Sequence, residues 1–205
     1  VGLQLTDLGF ATTYEIDVDP ELPAAGVWGA PAFRFGSRSG RTLTIRIRPS
    51  LAEPWVASFA LETSERLLNG LYACPNPDQL LVATGADAYL VSVGEPGRVE
   101  DLPIRPVVAV RRAPDTDLLV IGSFTNLAAV DEIGLRWVTD RLFLDDLDFV
   151  EGPPGQIGVR GSVRSVPSEA ELLIIDPARG DVIEGPWDPS IAGPYGQPGW
   201  RRSGI

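Results

Sequence analysis

Lysine, histidine and methionine are missing from this 205-residue chain, and cysteine occurs once, at Cys74. All 17 basic residues are therefore arginines, set against 28 acidic ones. Without histidine there is no Ser-His-Asp or Cys-His nucleophile pair and no imidazole ligand for a metal. Without lysine there is no Schiff base and no phosphate-loop lysine. One cysteine allows no internal disulfide and leaves a zinc site without its usual ligands. Apolar runs are short: Pro106 to Val110 and Leu118 to Ile121 fall far below the ~20 residues of a membrane helix. A formal charge of −11 repels polyanions, whose binding depends on neutralisation of phosphates by basic residues. Neither nucleic acid nor membrane is expected as a partner. No basic-then-apolar leader opens the chain, and the unpaired cysteine fits a cytoplasmic location. A processed leader ahead of Val1 stays open.

What the chain does have is repetition. "DQLLVATGADAYLVSVGEPG" at Asp78 to Gly97 and "DTDLLVIGSFTNLAAVDEIG" at Asp115 to Gly134 share one plan. Leu80-Leu81-Val82 falls over Leu118-Leu119-Val120, 38 residues on, and Gly97 falls over Gly134, 37 residues on. Each stretch has a β-rich run, a small polar turn, a second apolar run and a glycine-bearing turn, which predicts two strands joined by a short loop. "ELLIIDPARGDVIEG" at Glu171 to Gly185 repeats the second run and its turn, with Ile175-Asp176 over Val130-Asp131 at an offset of 45.

Units of about 40 residues with four short strands each are the pattern of propeller blades. "AVDEIGLRW" (Ala129 to Trp137) and "IIDPARGDV" (Ile175 to Val182) resemble the Asp-turn-Gly-apolar hairpin of quinoprotein-type and WD-type propeller blades. The resemblance covers about ten residues per unit, implies blade-like sheets, and implies no quinone. Three units are too few for a ring of 4 to 8 blades. Either the first ~70 residues supply a divergent fourth unit, or the sheets stack as a sandwich or open meander.

The amino-terminal part is strand-rich as well. In "TTYEIDVD", Tyr14, Ile16 and Val18 share one face and Glu15, Asp17 and Asp19 the other; in "TLTIRIR", Leu43, Ile45 and Ile47 alternate with Thr44, Arg46 and Arg48. In the segment from Glu53 to Gly70, Trp55, Ala57, Phe59 and Leu61 alternate as a strand, while Ser64 to Asn69 reads as a turn of capped helix. With 19 prolines and 22 glycines interrupting the chain, the fold class is all-β: repeated antiparallel hairpins with little helix. The expected organisation is a β segment over 1–70, joined in one domain to three repeat units at about 71–105, 106–148 and 149–185. A Pro/Gly-rich tail over 186–205 has no length of regular structure.

Several residues are candidates for chemistry. The carboxylates of Glu15, Asp17 and Asp19 are best read as partners for the arginines of the Thr42–Arg48 strand, because charges pair across neighbouring strands. Arg34, Arg38 and Arg41, around "GSRSGR", are candidates to hold a phosphate or carboxylate, against the alternative of charge compensation within the chain. Asp145, Asp146 and Asp148 are the metal candidates, although they lack the glycine and ligand spacing of a calcium loop. Cys74 precedes Pro75 with no thiolate-stabilising neighbour and reads as an idle, buried thiol. Trp187, Tyr195 and Trp200 either strap back over the chain's own sheets or form a partner-binding arm, since aromatics dominate interface hot spots.

The residues present lean away from catalysis. The expectation is a soluble, non-catalytic binding or scaffold module without a cofactor, whose partner is a protein or a small polar ligand. A carboxylate-based hydrolase of glycosidase type or a divalent-metal enzyme is the alternative. A second alternative is a structural subunit whose exposed sheet edges pair between copies by self-association.

Overall fold

The computed structural model describes residues 3–24, 26–36, 40–162, 170–187 and 200–201. Among these the chain is all-β, without a helix, and no helix is long and apolar enough to cross a membrane. It divides into two compact units, Val1–Leu102 and Pro103–Ile205, each holding two open sheets around one core.

The first unit begins with β1 (Leu5–Thr6), β2 (Tyr14–Val18), β3 (Ala32–Phe35), β4 (Arg41–Pro49) and β5 (Trp55–Leu61). It continues with β6 (Asn69–Ala73), β7 (Gln79–Thr84), β8 (Ala88–Ser92) and β9 (Val99–Leu102). Its first sheet runs β2-β4-β5-β3, with β3 parallel to β5 and the other pairs antiparallel. Its second sheet is the meander β6-β7-β8-β9, with β1 added in parallel at the edge of β6. Leu43, Ile45, Ile47, Trp55, Ala57 and Phe59 of the first sheet share a core with Leu71, Leu80, Val82 and Val91 of the second. These are the apolar faces read from the alternation in "TLTIRIR" and "WVASFAL".

The second unit holds β10 (Ala109–Arg112), β11 (Leu119–Gly122), β12 (Leu127–Asp131), β13 (Gly134–Val138), β14 (Asp145–Val150), β15 (Ile157–Ser162), β16 (Glu171–Ile175), β17 (Val182–Glu184) and β18 (Trp200–Arg201). β10 to β13 form one antiparallel meander, which β18 extends antiparallel to β13, and β14 to β17 form another. The sequence repeats coincide with equivalent strands. "LLV" lies within β7 and leads from Leu118 into β11, the second strand of its meander in each case, and the Asp-turn of the resemblance comes at the end of the third strand, β12 and β16. Asp131 Oδ1 accepts the N–H groups of Ile133 (2.8 Å) and Gly134 (3.2 Å). Asp176 Oδ1 accepts that of Ala178 at 2.8 Å.

Strands β7 and β11 are buried on both faces. That explains why their sequences are unbroken apolar runs while β4 alternates. The expected helical turn at Ser64 to Asn69 is not formed. A single turn closes there, with Leu67 N–H on Ser64 O at 3.1 Å, and Asn69 already opens β6. The stretch between β5 and β6 is too short for helix nucleation to be offset by further hydrogen bonds.

The two units share a device that the sequence alignment does not reveal. Trp55, on β5, donates its indole N–H to Val93 O at 2.8 Å, in the turn between β8 and β9. Trp137, on β13, donates to Pro177 O at 2.9 Å, in the turn between β16 and β17. Each fully buried tryptophan ties one sheet of its unit to the last hairpin of the other. A glycine at positive φ completes each turn: a Cβ on Gly97 (φ +80°) would stand 2.6 Å from the Phe33 ring, which packs edge-on against Trp55 at 5.7 Å. On Gly180 (φ +75°) it would stand 2.8 Å from the Trp137 ring. Gly180→Ala combines left-handed strain with a clash against a buried ring, and is expected to cost about 3 kcal/mol, read as a lower denaturation midpoint. A loss below about 0.5 kcal/mol would show that the turn has room to shift.

Candidate functional site

The outward face of the first sheet carries charged and hydroxyl side chains from all four of its strands. Because Leu43, Ile45 and Ile47 enter the core, Thr44, Arg46 and Arg48 point the other way. Strand register sets their neighbours: Glu15 lies opposite Arg48, and Asp17 opposite Arg46. On the other side, Thr44 lies opposite Ser58, which in turn faces Arg34 of β3. Arg48 hydrogen-bonds to Asp17 and stands 3.9 Å from Glu15. The Thr44 and Ser58 hydroxyls lie 3.1 Å apart. The acidic and basic strands thus pair as their alternation predicts. Such exposed pairs contribute about 0 to 1 kcal/mol each and fix register more than stability.

The end of this face is closed by backbone geometry. Asp19, at φ +46°, donates its N–H to Thr44 O at 2.7 Å and accepts the Thr44 N–H on Oδ1 at 3.1 Å. The third acidic side chain of "EIDVD" is therefore committed to the strand edge. Residues beyond it connect β2 to β3, which occupy opposite edges of the sheet.

Of the arginines singled out by sequence, Arg34 lies on this outward face and Arg38 lies outside the described residues. Arg41 sits opposite Leu61 at the end of β4, with the parity of Leu43, so it belongs to the opposite face from Arg34. The sheet therefore separates Arg34 from Arg41. The signal missed in the sequence was Ser58: the alternation Trp55, Ala57, Phe59 places it outward, and only register brings it between Thr44 and Arg34.

The three aspartates of "LDDLD" are spread along an irregular strand. Asp145 lies opposite Ser162 and Asp148 opposite Arg160, with a bulge between them where Asp146 takes φ +60°. Leu147 turns into the core between the exposed Asp146 and Asp148. Among the described residues no three acidic or cysteine side chains gather as a metal-ligand set.

Trp187 packs against the second unit's core and donates its indole N–H to Arg141 O at 3.2 Å. Arg141 in turn donates to Phe143 O and Leu144 O at 2.9 and 3.0 Å, so Trp187 straps a loop that is already closed. Tyr195 lies outside the described residues. Trp200 opens β18, opposite Val138.

Cys74 is fully buried, and its thiol donates to Tyr72 O at 3.8 Å. Burial pushes its pKa up, against a smaller lowering by the Leu81 N–H. A thiol held neutral in this way is a poor nucleophile. Comparison of the chain with protein families, with curated proteins and with solved structures finds no match in any of the three.

Proposed function

We propose that this chain is a non-catalytic binding module that recognises a protein or a small polar ligand, with the outward face of its first sheet as the recognition surface. The observation that carries this reading is the array of Glu15, Asp17, Arg34, Thr44, Arg46, Arg48 and Ser58 on one sheet face in fixed register. The backbone beneath these side chains is already ordered, so meeting a ligand costs side-chain freedom but no loop ordering. The residue repertoire agrees with this use. Arginine and hydroxyl groups recognise polar partners without moving protons, and histidine, the most frequent general base, is absent from the sequence.

The test is turnover. The purified chain is assayed with chromogenic glycosides, esters and phosphoesters, with and without millimolar calcium or magnesium, and rates at the uncatalysed background are expected. Hydrolysis well above background that survives repurification would overturn the reading. Such hydrolysis, if it needed the metal and fell with Asp145→Asn or Asp148→Asn, would establish the carboxylate enzyme instead.

A further inference from the structure

We propose that Arg46 is the anchor by which this outward face recognises a singly charged carboxylate on its ligand; the inference rests on the reading of that face as a binding surface. Arg46 stands on β4, which is paired on both sides, so its backbone is fixed. Its neighbours across the sheet are Asp17 on one side and Val56, 1% exposed, on the other. Asp17 bonds to Arg48, which also stands near Glu15, and Asp19 takes the N–H of Thr44. All three carboxylates flanking the basic strand have other partners. Arg46 Nε is buried without a hydrogen-bond partner, and no ion pair joins Arg46 to a described residue.

Burial of Nε holds the guanidinium against the sheet, and no described residue engages its terminal N–H groups, which are left to meet a ligand. Its terminal N–H groups form a planar fork that matches the two oxygens of a carboxylate. One step along the sheet, the Thr44 and Ser58 hydroxyls supply further polar contacts. The ligand's charge follows from what surrounds the site. Glu15, Asp17 and Asp19 offset Arg34, Arg46 and Arg48 there, so the face carries no excess positive charge to hold a dianion such as phosphate. The same chemistry is offered by a free small acid and by an acidic side chain of a polypeptide.

The test follows the arginine Nε–Hε resonances of the full chain by NMR at constant ionic strength. The probes are acetate, a terminally blocked peptide with one glutamate, and inorganic phosphate. The Arg46 signal is expected to move saturably with both carboxylates, with midpoints in the millimolar range, while those of Arg136 and Arg141 stay still. A peptide midpoint at least about tenfold below that of acetate assigns the carboxylate to a polypeptide, and similar midpoints assign it to a small acid. Tighter binding of phosphate than of either carboxylate, or no saturable movement of Arg46, overturns the proposal. Arg46→Gln is expected to abolish binding, and Arg46→Lys, which keeps the charge without the fork, to weaken it about fivefold or more. Because the unaltered chain gives the primary reading, a variant that fails to fold does not remove the test. A silent Arg46 leaves the binding-module reading standing, whereas turnover in the hydrolase assays removes that reading and leaves the carboxylate site intact.

Discussion

Trp137→Ala is expected to destabilise the second unit by about 4 kcal/mol, and Trp55→Ala the first unit by a similar amount. Both side chains are fully buried in their unit's core. Truncation therefore leaves a large cavity, and the Pro177 or Val93 carbonyl loses its indole donor. Phenylalanine separates the two contributions. Trp137→Phe keeps most of the apolar contact, removes the hydrogen bond, and is expected to cost about 2 kcal/mol. Two compact units need not melt together, so a single midpoint is an unsafe measure. Amide exchange reports each unit by itself. Lost protection in β10 to β17 with β2 to β9 unchanged is the expected pattern for Trp137, and the reverse for Trp55. Uniform loss across the chain would show that the units unfold as one.

Alkaline pH is expected to unfold the first unit through Cys74 and Tyr14. The thiol's pKa is raised by burial, and that of the Tyr14 hydroxyl is raised first by burial and then by its proximity to Cys74. A group whose folded pKa lies above its unfolded value contributes stability that is complete below the unfolded pKa and is lost as pH rises towards the folded one. For a thiol that loss starts near pH 8.5 to 9, and for a tyrosine near 10. Each further pH unit removes about 1.4 kcal/mol per group, which gives about 5 kcal/mol by pH 11. Such a loss is comparable with the whole stability of a small domain. Denaturant titrations at pH 7, 9, 10 and 11 check it. Cys74→Ala is expected to cost about 1 kcal/mol at pH 7 and to flatten the slope between pH 9 and 10. A slope unchanged by Cys74→Ala would show that the thiol ionises without unfolding. Thiol reagents give an independent reading, since Cys74 is expected to react only as fast as the unit opens.

Much of this architecture is legible from local pattern. β2, β4 and β5 announce themselves by period-two alternation, because each has one face in the core and one outside it. That the strand of Glu15 and Asp17 lies beside the strand of Arg46 and Arg48 follows from charges on matching faces. The hairpins β7–β8 and β11–β12 are visible as paired apolar runs across short polar turns. The short added strands leave no such trace. β1 and β18 have two residues each, and β3 joins β5 in parallel from the far edge. Their pairing runs through backbone N–H and C=O groups, which almost every residue carries, so their side chains do not name the partner strand. Ser64 to Asn69 failed as a helix for a related reason. Local propensity was outweighed by the demand that Asn69 and Gly70 begin a strand in the neighbouring sheet.

The candidate site divides in the same way. Sequence alternation alone decides that Thr44, Arg46 and Arg48 leave the core together, since a strand side chain has two directions and the apolar neighbours take one of them. The choice of neighbours belongs to tertiary structure. Register placed Ser58 and Arg34 beside Thr44, put Arg41 on the other side of the sheet, gave Asp17 to Arg48, and so left Arg46 without a partner among the described residues. Composition determined which chemistry the chain lacks, and periodicity determined that it is built of strands. Only the folded chain could decide which strands from distant positions lie side by side, because backbone pairing is blind to residue identity and the burial that selects among registers exists only once the sheets have packed.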